Sequence, residues 1–116
     1  MIADDERLFA AALELILASD ERIEVVGTAF DGQQAVELTL DLAPDVVLMD
    51  LSMPGLDGFA AIEAILSEAS PPRVLVLSGS ADPADIARAR SAGVYGYLTK
   101  ENIAGDLVER VLEAAR

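Results

Sequence analysis

The sequence predicts an α/β fold in which a doubly wound, five-stranded parallel sheet has helices on both faces. Strand-like and helix-like segments alternate five times along the chain. Two of the strand-like segments, 46–49 and 74–77, are apolar at every position, which is typical of strands buried on both faces of a parallel sheet. The connections are short, and parallel strands joined through helices require right-handed crossovers that cover both faces.

The first half of the chain supplies three of these strands. Met1-Ile2-Ala3 is apolar and precedes two aspartates, which indicates a first strand shorter than the about five residues of a usual interior strand. Apolar residues at helical spacing predict a helix over 8–17, and the run 23–29 predicts the second strand. Asp31-Gly32 ends it, and a helix over 33–42 leads to the third strand at 45–50.

The short first strand lowers the stability of the domain. The burial free energy of two or three missing apolar side chains is a large part of the ~5–15 kcal/mol by which a folded domain is stable. We therefore expect either upstream residues or another chain to complete that strand.

The second half of the chain continues the alternation. A third helix is predicted over 59–69, with Asp57 as its cap, and Pro71-Pro72 marks the following loop. The fourth strand spans 73–77, and the fourth helix, 83–92, has proline in its first turn and ends at Gly93. A short strand at 97–99 follows. Apolar positions 103, 107, 108, 111 and 112 then predict the last helix.

Composition excludes several classes of function. The 116 residues suffice for one domain, 1–116, and the formal net charge of -13 disfavours nucleic acid as a partner. The chain has no cysteine and no histidine, so a metal would have to be bound by oxygen, which favours Mg²⁺ or a similar hard ion. No apolar run approaches the about 20 residues of a membrane span, and because two aspartates follow Met1-Ile2-Ala3 we expect no signal peptide. We expect a cytoplasmic protein that does not bind membranes.

Charged residues follow the predicted strands at one edge of the sheet. Asp50 ends the apolar third strand, before the turn residues Pro54 and Gly55. Asp4-Asp5 follow the first strand and Lys100 follows the fifth, so all four charges should meet at the carboxyl edge, where open α/β sheets bind ligands. Two carboxylates at ~4 Å repel by about 4 kcal/mol at an effective dielectric of 20, which a divalent metal would offset.

Two motifs at these positions resemble the receiver domain of two-component response regulators. They are Met49-Asp50-Leu51-Ser52-Met53-Pro54-Gly55-Leu56-Asp57-Gly58 and Ala92-Gly93 followed by Gly96-Tyr97-Leu98-Thr99-Lys100, each at the expected distance from the acidic pair. The resemblance covers essentially the whole chain and implies a flavodoxin-like (βα)5 fold with strand order 2-1-3-4-5. Glu101 after the lysine, with Leu77-Ser78-Gly79-Ser80, is similar to the NarL/FixJ branch. Members of that branch usually regulate transcription through a helix-turn-helix output domain, for which these 116 residues leave no room.

The resemblance also implies a role for each site residue. Asp50 would be the phosphoacceptor, Lys100 and Ser78 would contact the phosphoryl group, and Ser78 with Tyr97 would form the switch. Mg²⁺ would be held by Asp5 and Asp50 directly, by Asp4 through water, and by the backbone carbonyl of Ser52. Ser52 and Ser80 occupy the variable positions that tune phosphoryl lifetime. Chemically, a carboxylate can attack phosphorus, and phosphoryl transfer needs mainly alignment and neutralisation of charge.

The same resemblance implies how the domain would signal. A sensor histidine kinase would donate the phosphoryl group from a phosphohistidine, and the added charge would draw Ser78 toward Asp50. Tyr97 could then turn inward, changing the face built by the fourth helix, fifth strand and last helix. Homodimerisation on phosphorylation is a further expectation. The chain would be a phosphoacceptor rather than a turnover enzyme.

Other interpretations remain open from the residues alone. An aspartate-nucleophile hydrolase of the haloacid dehalogenase kind would carry a second acid where Ser52 stands. A pseudo-receiver would share the fold and serve only for docking, although the complete acidic set argues against it. A flavin carrier would share the fold too, but without tryptophan and with 4% aromatic residues the chain has little to sandwich a flavin ring. Tyr97 could also be a half-buried aromatic residue that does not switch.

Overall fold

The computed structural model describes residues 1–53, 57–79, 81–103 and 105–116, with Asn102 described by its backbone alone. Within those residues five strands form one parallel sheet in the order β2-β1-β3-β4-β5, which confirms the predicted topology. The strands are β1 (Ile2–Ala3), β2 (Thr28–Ala29), β3 (Val46–Asp50), β4 (Arg73–Ser78) and β5 (Gly96–Thr99). The predicted turn at Pro54 and Gly55 lies outside the described residues.

The helices alternate with the strands as predicted. They are α1 (Arg7–Ala18), α2 (Gly32–Leu42), α3 (Gly58–Leu66), α4 (Pro83–Ala92) and α5 (Leu107–Ala115). A single 3₁₀ turn over Lys100–Asn102 precedes the last helix, which therefore begins later than the apolar spacing predicted. None of the helices in the described part of the chain has the length and apolar content needed to span a membrane.

Apolar residues form two clusters, one on each face of the sheet. On one face Val47 and Val76 lie beneath α2, α3 and α4, with Ile62 and Ile65 from α3. On the other face α1 and α5 pack on alternate strand residues such as Leu48. Neighbouring residues of a strand point to opposite faces, so runs that are apolar at every position supply both clusters. This arrangement is the doubly wound architecture that the sequence predicted.

Three aspartates cap helices and so belong to the fold. The carboxylate of Asp31 accepts a hydrogen bond from the Gln34 N–H, and Asp82 caps α4 in the same manner. Asp57 accepts from the Phe59 N–H at 2.8 Å, which confirms its predicted role as the cap of α3. A side-chain oxygen at this position satisfies an amide that has no partner within its helix.

The second strand is shorter than predicted. Residues 23–27 of the expected strand 23–29 are irregular, and only Thr28–Ala29 pair with β1. A strand residue needs a residue of the neighbouring strand to pair with. Thr28 pairs with Ile2, and only Met1 precedes Ile2, so β1 has no partners for most of the residues before Thr28. The side chains of Ile23 and Val25 still pack on the α1 and α5 cluster, which explains their apolar character. The short first strand is confirmed, and its completion by other residues stays a prediction.

The strand register places the polar residues at one level of the sheet. Ala3 pairs with Met49, so Asp4 follows β1 at the level where Asp50 ends β3. Asp50 pairs with Leu77, and Ser78 pairs with Thr99, which Lys100 follows. The carboxyl edge of the sheet therefore gathers charged groups that are up to 96 residues apart in the sequence, from Asp4 to Lys100.

Candidate functional site

Three aspartates form the centre of the site. Asp4, Asp5 and Asp50 each offer a carboxylate oxygen, and these oxygens lie within 4.8 Å of one another. Asp4 and Asp50 are 0% and 1% exposed, whereas Asp5 faces solvent. The predicted acidic trio is thus brought together, with two members buried at strand ends and one open to the surroundings.

Lys100 joins this cluster from the end of β5. Its Nζ lies 3.1 Å from Asp50 Oδ2, 3.1 Å from Asp4 Oδ2 and 3.0 Å from Glu6 Oε1. The same Nζ lies over the ring of Phe9, 4.5 Å from the ring centroid. One ammonium group therefore serves three carboxylates, and it is held between the beginning of α1 and the ends of β1 and β3.

Backbone amides fix the orientation of both buried carboxylates. The Ser52 N–H donates to Asp50 Oδ1 at 3.0 Å, and the Glu6 N–H donates to Asp4 Oδ1 at 2.9 Å. Gly58 contributes indirectly, because a Cβ there would lie 2.8 Å from the Cα of Leu51, the residue after Asp50. A residue without a side chain lets α3 begin close against the end of β3.

The charges in the cluster are in conflict. Burial raises the pKa of Asp4 above its ordinary value, and the nearby charge of Asp50 raises it further. The Glu6 N–H and the Lys100 ammonium lower that pKa but do not cancel the effect. Burial lowers the pKa of Lys100, yet its contacts with Glu6, Asp4 and Asp50 outweigh burial and hold that pKa above its usual value. One cation thus leaves the acidic cluster short of positive charge.

The donor set fits a hard divalent cation. All three candidate ligands are carboxylates, the oxygen donors that Mg²⁺ prefers. Asp4 Oδ2 is buried and receives no hydrogen bond of good geometry from the described residues, although the Lys100 ammonium is near. A buried carboxylate oxygen in that state gains from a further cation. The contact of Ser52 seen here is made by its N–H, and its carbonyl as a ligand stays a prediction.

The two residues predicted to form the switch lie on neighbouring strands. Ser78 is the last residue of β4, is buried, and comes one position after the partner of Asp50. Tyr97 lies in β5, where it pairs with Val76 of β4. It is half-buried and packs against the cluster beneath α2, α3 and α4. The role of these two residues as a switch stays a prediction. Ser80, the second variable position, lies outside the described residues.

Sequence reasoning missed Glu6 and Phe9. Glu6 directly follows the acidic pair, and Phe9 is three residues further, one helical turn along α1. Residues one turn apart at the beginning of a helix near a cluster of charges could have signalled that α1 itself contributes to the site. The periodic pattern instead assigned Phe9 to the core, and its side chain is in fact partly buried there.

Comparisons with known proteins agree with this geometry. The family model described as the response regulator receiver domain matches residues 1–112. The transcriptional regulatory protein LiaR of Bacillus subtilis (strain 168) is 34% identical over 116 residues, which are 100% of this chain and 55% of LiaR. The chain therefore spans about half the length of that relative.

Solved structures show the same similarity. The signal receiver domain of the putative response regulator NarL from Mycobacterium tuberculosis superimposes with a TM-score of 0.93 and 37% identity, over 98% of this chain and 92% of that one. The CheX-CheY-BeF3-Mg+2 complex from Borrelia burgdorferi gives a TM-score of 0.88 at 25% identity, over 97% and 84% of the two chains.

Fold and site together define a class, the receiver domains of two-component signalling systems. The chain belongs to the response regulator receiver domain family, and its similarity to LiaR and NarL agrees with the NarL/FixJ branch.

Proposed function

We propose that Asp50 is the phosphoacceptor of this receiver domain and takes its phosphoryl group from the phosphohistidine of a sensor histidine kinase. The observation that carries the proposal is the environment of Asp50. Its side chain is 1% exposed, one oxygen accepts from the Ser52 N–H, and the other lies 3.1 Å from Lys100 Nζ. A nucleophile held at both oxygens is aligned before the donor arrives, which is the main requirement of phosphoryl transfer.

In the transfer step an Asp50 carboxylate oxygen forms a bond to phosphorus while the bond from phosphorus to the kinase imidazole nitrogen breaks. The electron pair of the broken bond stays on that nitrogen. Lys100 would donate a charge-assisted hydrogen bond to a phosphoryl oxygen, and Ser78 would donate from its hydroxyl. Because the domain accepts one group and holds it, it acts as a phosphoacceptor and not as a turnover enzyme.

Asp5 and Asp50 would hold Mg²⁺ directly, and Asp4 would hold it through water, with the Ser52 carbonyl as a further oxygen. The bound ion would neutralise charge on the carboxylates and on the phosphoryl oxygens. Two features support this proposal. The three carboxylates converge within 4.8 Å, and the related CheY from Borrelia burgdorferi was solved in a complex with CheX, BeF3 and Mg+2.

We further propose that Ser78 and Tyr97 transmit the phosphorylation signal to α4. Phosphorylation adds about -1.5 to -2 charges and new acceptor oxygens, which can attract the Ser78 hydroxyl and its strand end. Tyr97 borders a cleft of about 480 Å³ between α4, β5 and α5, so its ring has space nearby. The ten residues of α4 are all described and include one fully buried residue, Ala89, so we expect a shift of this helix to expose little buried surface.

The cellular setting is also proposed from the family. The domain would work in the cytoplasm, receive its phosphoryl group from a histidine kinase, and act within a protein that regulates transcription. It could form a homodimer when phosphorylated. The net charge of -13 argues against DNA binding by this domain itself.

A phosphorylation assay tests the proposal. The protein is incubated with Mg²⁺ and acetyl phosphate, and its intact mass is followed with time. Addition of one phosphoryl group supports the phosphoacceptor role. An unchanged mass under these conditions would instead favour the pseudo-receiver. Steady turnover of small phosphate esters would favour the hydrolase, although the position two residues after Asp50 is Ser52 and not an acid.

A further inference from the structure

Glu6 is the solvent-facing partner of Lys100. Lys100 Nζ donates hydrogen bonds to Glu6 Oε1 at 3.0 Å and to Asp50 Oδ2 at 3.1 Å, and it forms an ion pair with Asp4 Oδ2 at 3.1 Å. The side chains of Asp4 and Asp50 are 1% exposed, whereas that of Glu6 is 65% exposed. Any phosphodonor reaches the site from solvent, and of the three carboxylates around Lys100 Nζ only that of Glu6 is largely exposed.

The position of Glu6 is set by the backbone. Its N–H is bonded to Asp4 Oδ1, and the residue stands at the N-cap of α1 without a side-chain capping bond. The Glu6 carboxylate is therefore available to reach across to the end of β5. No other role in the described structure accounts for this side chain.

The three contacts of Lys100 are unequal in strength. Removing the ammonium from a buried carboxylate leaves a charge without water, which is expensive. Removing it from an exposed carboxylate costs little, because water replaces the lost partner. When a phosphoryl oxygen requires an N–H of Lys100, the contact with Glu6 is the one that yields most easily.

Glu6 also opposes the donor by its charge. Small phosphodonors such as acetyl phosphate are anions, and a carboxylate 3.0 Å from Lys100 Nζ lies within a few ångströms of any oxygen that binds the same ammonium. Like charges at such distances repel, and the repulsion is only partly screened at a partly buried site.

We propose that Glu6 is a positioning residue that occupies the solvent-facing N–H of Lys100 in the resting protein and must give way before the phosphoryl group can bind there. This inference rests on the proposed phosphoacceptor function. Glu6 forms and breaks an ion pair and exchanges no atoms, so the covalent step at Asp50 is unchanged. Its effect is to slow phosphorylation of the domain.

The test compares Glu6→Gln with Glu14→Gln. Both variants remove one exposed negative charge, but Glu14 lies on α1 about 12 Å further along the helix axis. Each protein is labelled with acetyl phosphate and Mg²⁺, and the rate is taken from intact mass. Glu6→Gln should be labelled about two- to fivefold faster than wild type, which is the range that an exposed ion pair contributes. The increase in rate for Glu14→Gln should be less than a third of the increase for Glu6→Gln.

Two further measurements separate the contact from general electrostatics. The excess rate of Glu6→Gln should persist at about 0.5 M KCl, because a 3.0 Å contact is shorter than the Debye length. Glu6→Asp keeps the charge but is one methylene shorter, so it should also label faster than wild type.

The outcomes separate this inference from the proposed function. If wild type is labelled and Glu6→Gln labels at the same rate or more slowly, Glu6 does not restrain Lys100. If both Gln variants accelerate equally, or if Glu6→Asp matches wild type while Glu6→Gln is fast, the cause is charge alone and the inference is wrong. If wild type is not labelled at all, the phosphoacceptor function fails and the inference fails with it.

Discussion

The Lys100 ammonium lies 3.1 Å from the Asp50 carboxylate, although 50 residues separate them in the sequence. The contact joins the end of β3 to the end of β5 across β4, which lies between them in the sheet. It therefore depends on the register of the whole sheet, and it places the only lysine of the chain beside the candidate nucleophile.

Replacing Asp50 by Asn should abolish labelling by acetyl phosphate. The amide is nearly the same size but is a poor nucleophile, so the fold should persist while the chemistry is lost. Intact mass after incubation with Mg²⁺ measures the result, and circular dichroism checks the fold. Undiminished labelling of the variant would place the phosphoryl group on another residue.

Mg²⁺ should stabilise the wild type more than Asp5→Asn. An ion at ten times its dissociation constant adds ~1.4 kcal/mol, or roughly 5 °C in melting temperature for a small domain. Asp5 is exposed, so its replacement should change the metal-free melting temperature little. Thermal melts with and without Mg²⁺ measure both quantities, and equal shifts in the two proteins would show that the ion binds elsewhere.

Asp4→Asn should stabilise the metal-free protein at neutral pH. The folded-state pKa of Asp4 is raised, mainly by burial, so the stability due to its protonated form is present below the unfolded pKa and is lost as pH rises through the folded pKa. An amide cannot ionise and escapes this loss. In EDTA, the variant should therefore melt increasingly above wild type as the pH increases from about 4 to 7.

Asp41→Asn is the control for that experiment, because Asp41 is exposed on α2. Because burial is the cause at Asp4, the gain that increases with pH should not be reproduced by a replacement at an exposed position. A difference for Asp4→Asn that does not increase with pH would mean that Asp4 titrates alike in the folded and unfolded states.

Tyr97 should report phosphorylation when it is the only tyrosine. The chain has two tyrosines and no tryptophan, so Tyr95→Phe leaves Tyr97 as the sole source of tyrosine fluorescence. The Arg73 guanidinium lies 4.7 Å from the centroid of the Tyr95 ring, and phenylalanine keeps a ring at this position. Phosphorylation should change the quenching of Tyr97 by iodide.

Adding Ser78→Ala should suppress that change while Asp50 is still labelled, because the hydroxyl is the proposed link. If the quenching change is the same with and without the Ser78 hydroxyl, Tyr97 does not receive the signal through Ser78.

Arg88→Gln should loosen α4 without unfolding the domain. The Arg88 guanidinium lies 4.1 Å from the centroid of the Phe59 ring, which ties α4 to the beginning of α3. A cation–π contact of this kind contributes about 0.5–1 kcal/mol at a partly exposed site. Hydrogen exchange should increase in α4 and leave β3 unchanged, and Arg90→Gln on the same helix should have the smaller effect.

The sequence predicted the centre of the site for a simple physical reason. An apolar strand that ends in an acid can be recognised locally, and parallel strands bring their carboxyl ends to one edge, so the sequence alone suffices to place Asp4, Asp5, Asp50 and Lys100 together. The cap formed by Asp57 could be predicted on similar grounds, because it depends only on its own helix.

Features that depend on neighbours could not be predicted in this way. The extent of β2 depends on how much of β1 lies beside it, and apolar residues such as Val25 look alike whether they pair in a sheet or pack on it. The contact of Glu6 with Lys100 depends on the direction of α1 and on the rotamer of an exposed side chain. The last helix begins later than predicted because a 3₁₀ turn follows β5, and such a turn depends on the local conformation of the backbone.

The weak attachment of α4 has a consequence for partners. Ala89 is the one fully buried residue of α4, so under the proposed switch we expect this helix to move at small cost, and a minor fraction of unphosphorylated molecules should already hold it displaced. A protein that binds the displaced arrangement would recognise the unphosphorylated domain weakly and the phosphorylated domain well. Thermodynamic reciprocity then requires that such a protein, once bound, favour the phosphorylated state of Asp50 by the same factor. The receiver would sense its downstream partner as well as its kinase.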